Sequence, residues 1–192
     1  MREIRIHGRG GQGAVIASKI LASALFHEGR SVQSFPAFGV ERRGAPVTAF
    51  LRVSDGPILL RCEITEPDDL IVLDPTLVGA IDVTTGLKPG GSILINSERG
   101  PDDYPALSKQ FRVATVDASA VARGHGLGSR TQPIVNTAIL GAFATFLGLV
   151  TLESVCGAIQ EDVPRAEANI AAAREASGLL RVASSRTEAS HA

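Results

Sequence analysis

The sequence predicts a three-layer α/β/α, Rossmann-like domain built around a mostly parallel, mixed sheet. Three observations carry this expectation. Extended apolar runs alternate with helical ones through the first two thirds of the chain, the order that builds a sheet covered by helices. The glycines Gly8, Gly10 and Gly13 stand where the apolar segment Ile4–Ile6 meets a helical run, the G-x-G-x-x-G spacing of a strand–turn–helix unit. The short runs Leu70–Leu73 and Ser92–Ile95 are almost continuously apolar, as strands buried on both faces require.

Each element follows in order. Ile4–Ile6 is the first strand, and the turn after it needs glycine for tightness, close approach to an anion and close helix–strand contact. The helix runs from Gln12 to about Glu28 and stops at Gly29, a residue suited to a left-handed C-terminal cap. Ser31–Phe35 is the second strand, ended by Pro36. Val47–Val53, the turn Ser54-Asp55-Gly56-Pro57 and Ile58–Arg61 read as a hairpin, because Asp-Gly between apolar runs is a hairpin signal. Its antiparallel strands make the sheet mixed. Leu70–Leu73 ends at Asp74-Pro75, Ser92–Ile95 at Asn96, and Phe111–Val116 at Asp117, with a turn at Lys88-Pro89-Gly90-Gly91. Helices are expected over Val135–Leu147, Leu152–Ile159 and Pro164–Ala176, the last with Pro164 in its first turn and Gly178 beyond its end. Residues 1–183 read as one domain, and the polar, aperiodic stretch 184–192 as a flexible tail.

Composition excludes several classes. A net charge of −1, with arginines paired only at Arg42–Arg43, argues against nucleic acid and against a membrane surface. The most apolar segment, Ile134–Val150, is shorter than the roughly 20 residues of a membrane span and reads as a buried helix. The chain opens on a structural element rather than a charged-then-apolar leader, so a cytoplasmic protein is expected. Cys62 and Cys156 lie far apart and outside any C-x-x-C pattern, which suits reduced thiols and leaves no set for an iron–sulfur cluster or a structural zinc.

The glycine turn first suggests a nicotinamide-binding domain. That chemistry needs an acid at the end of the second strand to hold the ribose hydroxyls. Here the strand ends Gln33-Ser34-Phe35-Pro36, and Glu41 lies beyond a proline and a glycine. Arg42 and Arg43 are suited to a 2′-phosphate, so an autonomous NAD(P)-binding oxidoreductase stays as an alternative. A purely structural assembly subunit is a second. The four histidines, His7, His27, His125 and His191, show no metal spacing, and no nucleophile or Walker motif occurs. Asp74, Asn96 and Asp117 end strands, where acids commonly cap the following helix. The loop Glu41-Arg42-Arg43-Gly44 is charged within an apolar, proline-bearing stretch that includes Phe35 and Phe38. It reads as a docking edge, since guanidinium forks suit phosphate, carboxylate or partner acids.

These segments resemble the gamma subunit of thiamine-diphosphate-dependent 2-oxoacid:acceptor oxidoreductases, the pyruvate:ferredoxin branch most of all. The carriers are Gly8-Arg9-Gly10-Gly11-Gln12-Gly13, Phe38 to Val47 with Glu41-Arg42-Arg43-Gly44-Ala45-Pro46, Glu66-Pro67-Asp68 before Leu70–Asp74, and Asn136 to Gly141. The resemblance spans residues 1 to 178 and implies a non-redox subunit with no complete active site. It implies alpha, beta and delta (ferredoxin-like) partner subunits, and a flavin subunit if NAD is the acceptor. Thiamine diphosphate, Mg2+ and iron–sulfur clusters would be held by those partners, and coenzyme A would be the acyl acceptor. The oxo acid would be pyruvate or an aromatic one such as phenylglyoxylate. The 2-oxoglutarate branch tends instead toward Pro-Glu-x-Arg-Gly-Gly in this loop. No catalytic or metal residue is expected in this chain. Its candidate contacts to coenzyme A or a partner are Gly8, Gly10, Gly11, Gln12, Gly13, Glu41, Arg42, Arg43, Gly44 and Asn136.

Overall fold

The computed structural model describes residues 1–37 and 44–183. The first strand, β1 (Arg2–Arg9), runs into the glycine turn and α1 (Ala14–His27). That helix ends as its sequence requires. Gly29, at φ 81°, donates to Phe26 O, and Arg30 N donates to Leu25 O, closing the C-terminal turn. An antiparallel pair follows, β2 (Ser31–Pro36) and β3 (Pro46–Ser54). The chain then crosses the sheet through β4 (Asp69–Val72), α2 (Leu77–Ala80), β5 (Ser92–Asn96), a 3-10 turn at Pro101–Asp103, α3 (Pro105–Ser108) and β6 (Arg112–Val116). It closes with α4 (Ala118–Gly124), α5 (Asn136–Leu147), α6 (Leu152–Asp162), α7 (Ala166–Gly178) and β7 (Arg181–Val182).

The seven strands lie in the order β2-β3-β1-β4-β5-β6-β7. β1, β4, β5 and β6 are parallel, whereas β3, between β1 and β2, is antiparallel to both, and β7 is antiparallel to β6. The expected mixed α/β sheet flanked by helices is therefore present. Its two faces are unequal. Side chains of α1 and α4–α7 pack on one face with Ile4, Ile6, Leu51, Ile71 and Leu94. The other face carries a smaller cluster, in which Leu70, Val72 and Ile93 meet Leu77 of α2 and Leu107 of α3.

The hairpin expected at Ile58–Arg61 does not form. These residues have no regular structure, and Leu59 is 86% exposed. Both edges of β3 are already paired, to β1 and to β2, so β3 has no open side for the returning arm of a hairpin. The segment is held instead by Gln33 Nε2 donating to Leu60 O at 3.0 Å and by Arg52 Nη2 donating to Glu63 O at 3.4 Å. At the other end of the chain, Pro164 precedes α7 rather than entering its first turn, and Gly178 is the helix's last residue. The stretch expected as a tail, 184–192, lies outside the described residues. Among the described residues, no helix is long and apolar enough to cross a membrane.

α5 is the most deeply buried helix. Gly141 on it lies against the backbone of Ala173 on α7, so close that a Cβ would overlap the Ala173 carbonyl. Gly141→Ala should therefore force α5 and α7 apart and cost about 1–3 kcal/mol, even though alanine is the better helix former. Thermal unfolding of the variant should show a lower Tm. An unchanged or higher Tm would mean that the two helices separate freely.

Candidate functional site

The sheet topology places one crevice. α1 leaves the end of β1 toward one face, and α2 leaves the end of the neighbouring β4 toward the other. Open α/β sheets bind ligands at such a reversal, outside the carboxyl ends of the strands. The glycine turn lies there. Gly8 is the penultimate residue of β1, and a Cβ on it would stand 3.2 Å from Leu73 Cδ1 and 3.4 Å from the Ala14 Cβ. Gly11 and Gly13 have φ of 99° and 81°, a region that favours glycine, and Gly13 is the N-cap of α1.

The β1–β3 ladder continues into this turn. Gly10 N donates to Ala45 O at 2.9 Å, and Gly44 N, from a residue at φ 79°, donates to Gly10 O at 3.2 Å. The end of the charged loop is thereby fixed to the glycine turn. Glu41, Arg42 and Arg43 themselves lie outside the described residues. The loops after β1 and β2 do leave from the same sheet edge, but from strands separated by β3 rather than adjacent ones.

Gln12 is turned inward. Its Oε1 accepts the Arg9 N–H at 2.7 Å, and its Nε2 donates to Asp74 Oδ2 at 2.9 Å. Asp74 also accepts from Thr76 N at 3.0 Å and Thr76 Oγ1 at 2.6 Å, and pairs with Arg9 Nε at 3.2 Å. Burial alone would raise the Asp74 carboxyl. The hydrogen bonds from Thr76 and Gln12 and the charge of Arg9 outweigh it and hold the group below the usual carboxylate range. Arg9 forks further, to Gly44 O at 3.1 Å and Thr76 Oγ1 at 2.9 Å. Sequence reasoning missed this role of Arg9, because direction at a turn depends on backbone torsions that spacing does not carry. It took Asp74 for an ordinary cap, but Asp74 is not the N-cap of α2: its bonds to Thr76 close the turn before that helix, and the carboxylate also anchors Gln12. Asp117 caps α4 by accepting Ala120 N at 2.7 Å.

Asn136 is the first residue of α5, 4% exposed, with Oδ1 accepting Thr137 N at 2.9 Å. It lies over Gly13, where any Cβ would stand 2.7 Å from Asn136 Nδ2. Gly8, Gly10, Gln12, Gly13, Gly44 and Asn136 thus meet in one place. A cleft of about 470 Å³ adjoins it along the ends of β4–β6, lined by Thr76, Asn96, Ser97, Tyr104 and Ser119 among others.

A glycine turn at the reversal of a mixed α/β sheet defines the general class, a Rossmann-like domain, and comparison with known proteins then narrows it. The family model for pyruvate ferredoxin/flavodoxin oxidoreductase matches residues 3–179. The chain is 53% identical over 180 residues to the pyruvate/ketoisovalerate oxidoreductases common subunit gamma of Thermococcus kodakarensis, covering 92% of this chain and 95% of that one. It is 52% identical over 159 residues to pyruvate synthase subunit PorC of Methanocaldococcus jannaschii, covering 83% and 84% of the two chains. The crystal structure of pyruvate oxidoreductase subunit PORC from Thermotoga maritima superposes with a TM-score of 0.79 at 33% identity, covering 95% of this chain and 98% of that one. This chain belongs to that family as a gamma, PorC-like subunit, a non-catalytic member of a multi-subunit 2-oxoacid oxidoreductase.

The residues present do not fit the redox groups such complexes imply. Among the described residues, no group of three or more His, Cys, Asp or Glu is placed to hold a metal ion, and Cys62 is exposed while Cys156 is buried in α6. No chemical step is assigned to this chain through those groups.

His7, beneath the turn, is buried. Its Nε2 accepts from Arg5 Nε at 3.0 Å, so in the neutral ring the proton sits on Nδ1, which has no partner among the described residues. Burial, and then the charge of Arg5, lower its pKa to about 4. An unfolded chain takes up this proton near pH 6.5, so stability is retained above about 6.5 and falls as pH drops toward about 4. The full shift corresponds to roughly 3 kcal/mol. Denaturant titrations across this window should show a slope that His7→Gln flattens. An identical slope in the variant would place the pH dependence elsewhere.

Proposed function

We propose that residues 1–183 act as one non-redox gamma domain, in a complex with alpha, beta and delta (ferredoxin-like) subunits. That complex oxidatively decarboxylates a 2-oxo acid, pyruvate or an aromatic one such as phenylglyoxylate, to acyl-CoA and CO2. Its electrons pass to ferredoxin, or to NAD where a flavin subunit is added. Thiamine diphosphate, Mg2+ and the iron–sulfur clusters belong to the partner chains in this reading. The observation that carries it is the family match across nearly the whole chain. The relative from Thermococcus kodakarensis is named as a subunit common to pyruvate and ketoisovalerate oxidoreductases. A shared subunit supports placing the choice of oxo acid on other chains.

In the same proposal the glycine turn and the Glu41–Gly44 loop form the edge that contacts coenzyme A or an acidic group of a partner. What supports it is the ladder that joins Gly10 to Gly44 and Ala45 at the ligand-binding edge of the sheet. The nicotinamide alternative loses ground on geometry. β3 separates the first two strands, no acid ends β2, and the Asp74 carboxylate sits against the glycine turn.

Two measurements test this. The native protein should purify with larger partner chains and a brown iron–sulfur colour. A colourless, catalytically complete homo-oligomer would overturn the reading. Within the complex, Arg43→Ala should raise the KM for coenzyme A, or weaken assembly, by about ten- to a hundredfold, with little change in decarboxylation. Unchanged constants in an intact complex would make the loop ordinary solvated surface.

A further inference from the structure

Asn136 offers a donor that no described residue uses. The bond from Thr137 N to Oδ1 fixes which end of the amide is the acceptor, so Nδ2 is the end that lies over Gly13. Nδ2 has no hydrogen-bond partner among the described residues. The residue is 4% exposed, yet Nδ2 is not among the sealed, unpaired side-chain atoms, so this end of the amide is the part that reaches the notch. The two residues in contact each begin a long helix, Gly13 as N-cap of α1 and Asn136 as first residue of α5. Neither helix has a side-chain cap at its start or an acid in its first turn. Unpaired N–H groups and the positive ends of two helix dipoles therefore converge beside a free amide. Gly11 is exposed and Ile134 is 43% exposed, so the place is reached from solvent.

We propose that this notch between α1 and α5 is an oxyanion site, taking a phosphate or carboxylate on Asn136 Nδ2 and the first-turn N–H groups of α1. The inference rests on the reading of the glycine turn as a contact edge, and names the chemistry that the edge accepts. Gln12 is not one of the donors, since its amide is committed to Arg9 and Asp74. Nor does Asp74 bar an anion, because Arg9 pairs with it.

Asn136→Asp separates this role from a structural one. The substitution keeps the acceptor for Thr137 N and adds an acid to the first turn of a helix, so the Tm should hold or rise. It removes the donor and repels an anion. With inorganic phosphate as the probe, amide NMR of the full chain should show shifts at Gly13, Ala14 and the Asn136 side chain. Affinity should fall about tenfold or more in Asn136→Asp and less in Asn136→Ala. A structural residue would alter the Tm and leave phosphate affinity unchanged, which would overturn the proposal, as would wild-type shifts absent from these amides. In the assembled complex, a raised KM for coenzyme A in Asn136→Asp identifies a phosphate of that substrate. Weakened assembly at unchanged KM identifies a partner carboxylate. Phosphate shifts with neither effect mean an adventitious ion only, and the site fails. A harmful Asn136→Asp beside a neutral Arg43→Ala sinks the loop reading alone, and the reverse pattern sinks this one.

Discussion

The buried guanidinium of Arg52 sets the register on which the glycine turn depends. Arg52 is 1% exposed and lies directly opposite Glu3 in the β1–β3 ladder and Gln33 in the β2–β3 ladder. Its Nε donates to Glu3 Oε1 at 2.7 Å and its Nη1 to Gln33 Oε1 at 2.8 Å. A one-residue slip of β3 would carry this charge to the opposite face and leave it buried among aliphatic side chains without either partner. The same ladder, followed to its other end, pairs Arg9 with Pro46 and then passes into the Gly10–Ala45 and Gly44–Gly10 bonds. A polar contact at one edge of the sheet therefore decides which residues face the glycine turn at the other.

β1 is hydrogen-bonded on both sides, antiparallel to β3 and parallel to β4, so it joins the antiparallel pair to the parallel core. That position makes the end of β1 a meeting point of three chain segments. Arg9, on the first of them, binds the other two through one fork, to Gly44 before β3 and to Asp74 and Thr76 after β4. Gln12 draws the turn down onto the same carboxylate. The pair is partly exposed, so its Coulomb energy is modest, and its main effect is to fix geometry.

Much of this was legible in the sequence, and the failures have physical causes. β1, α1 and α5 follow from apolar patterning bounded by glycine, and Gly29 stops α1 through the left-handed turn expected of it. The strand at Ile58–Arg61 was wrong because Asp55-Gly56 reports a turn, while a hairpin also needs an open side on its partner strand, here β3, which is a non-local property. α4 and β7 were missed because seven and two residues carry too little periodicity to be read. Around the turn, the glycines and Asn136 were legible by spacing and resemblance. The inward rotation of Gln12 and the fork of Arg9 were not, since both arise from pairing with residues more than 30 positions away.

Helix starts elsewhere in the chain show what the turn forgoes. Asp117 caps α4 by accepting Ala120 N, and Thr151 caps α6, with Glu153 in its first turn and Glu28 on the Thr151 N–H. α7 has Glu167 in its first turn. Each device is worth about 0.5–2 kcal/mol for a cap or 0.3–1 kcal/mol for a first-turn acid. α1 and α5, two of the longer helices and the two that begin at the glycine turn, have neither a side-chain cap nor a first-turn acid. The four-residue helices α2 and α3 also lack both devices. Among the five described helices of seven residues or more, the local rules hold at three starts and lapse at the two that touch, a pattern better explained by function than by chance. An acid there would steady the isolated chain and occupy, with fixed negative charge, the place where an incoming oxyanion would sit.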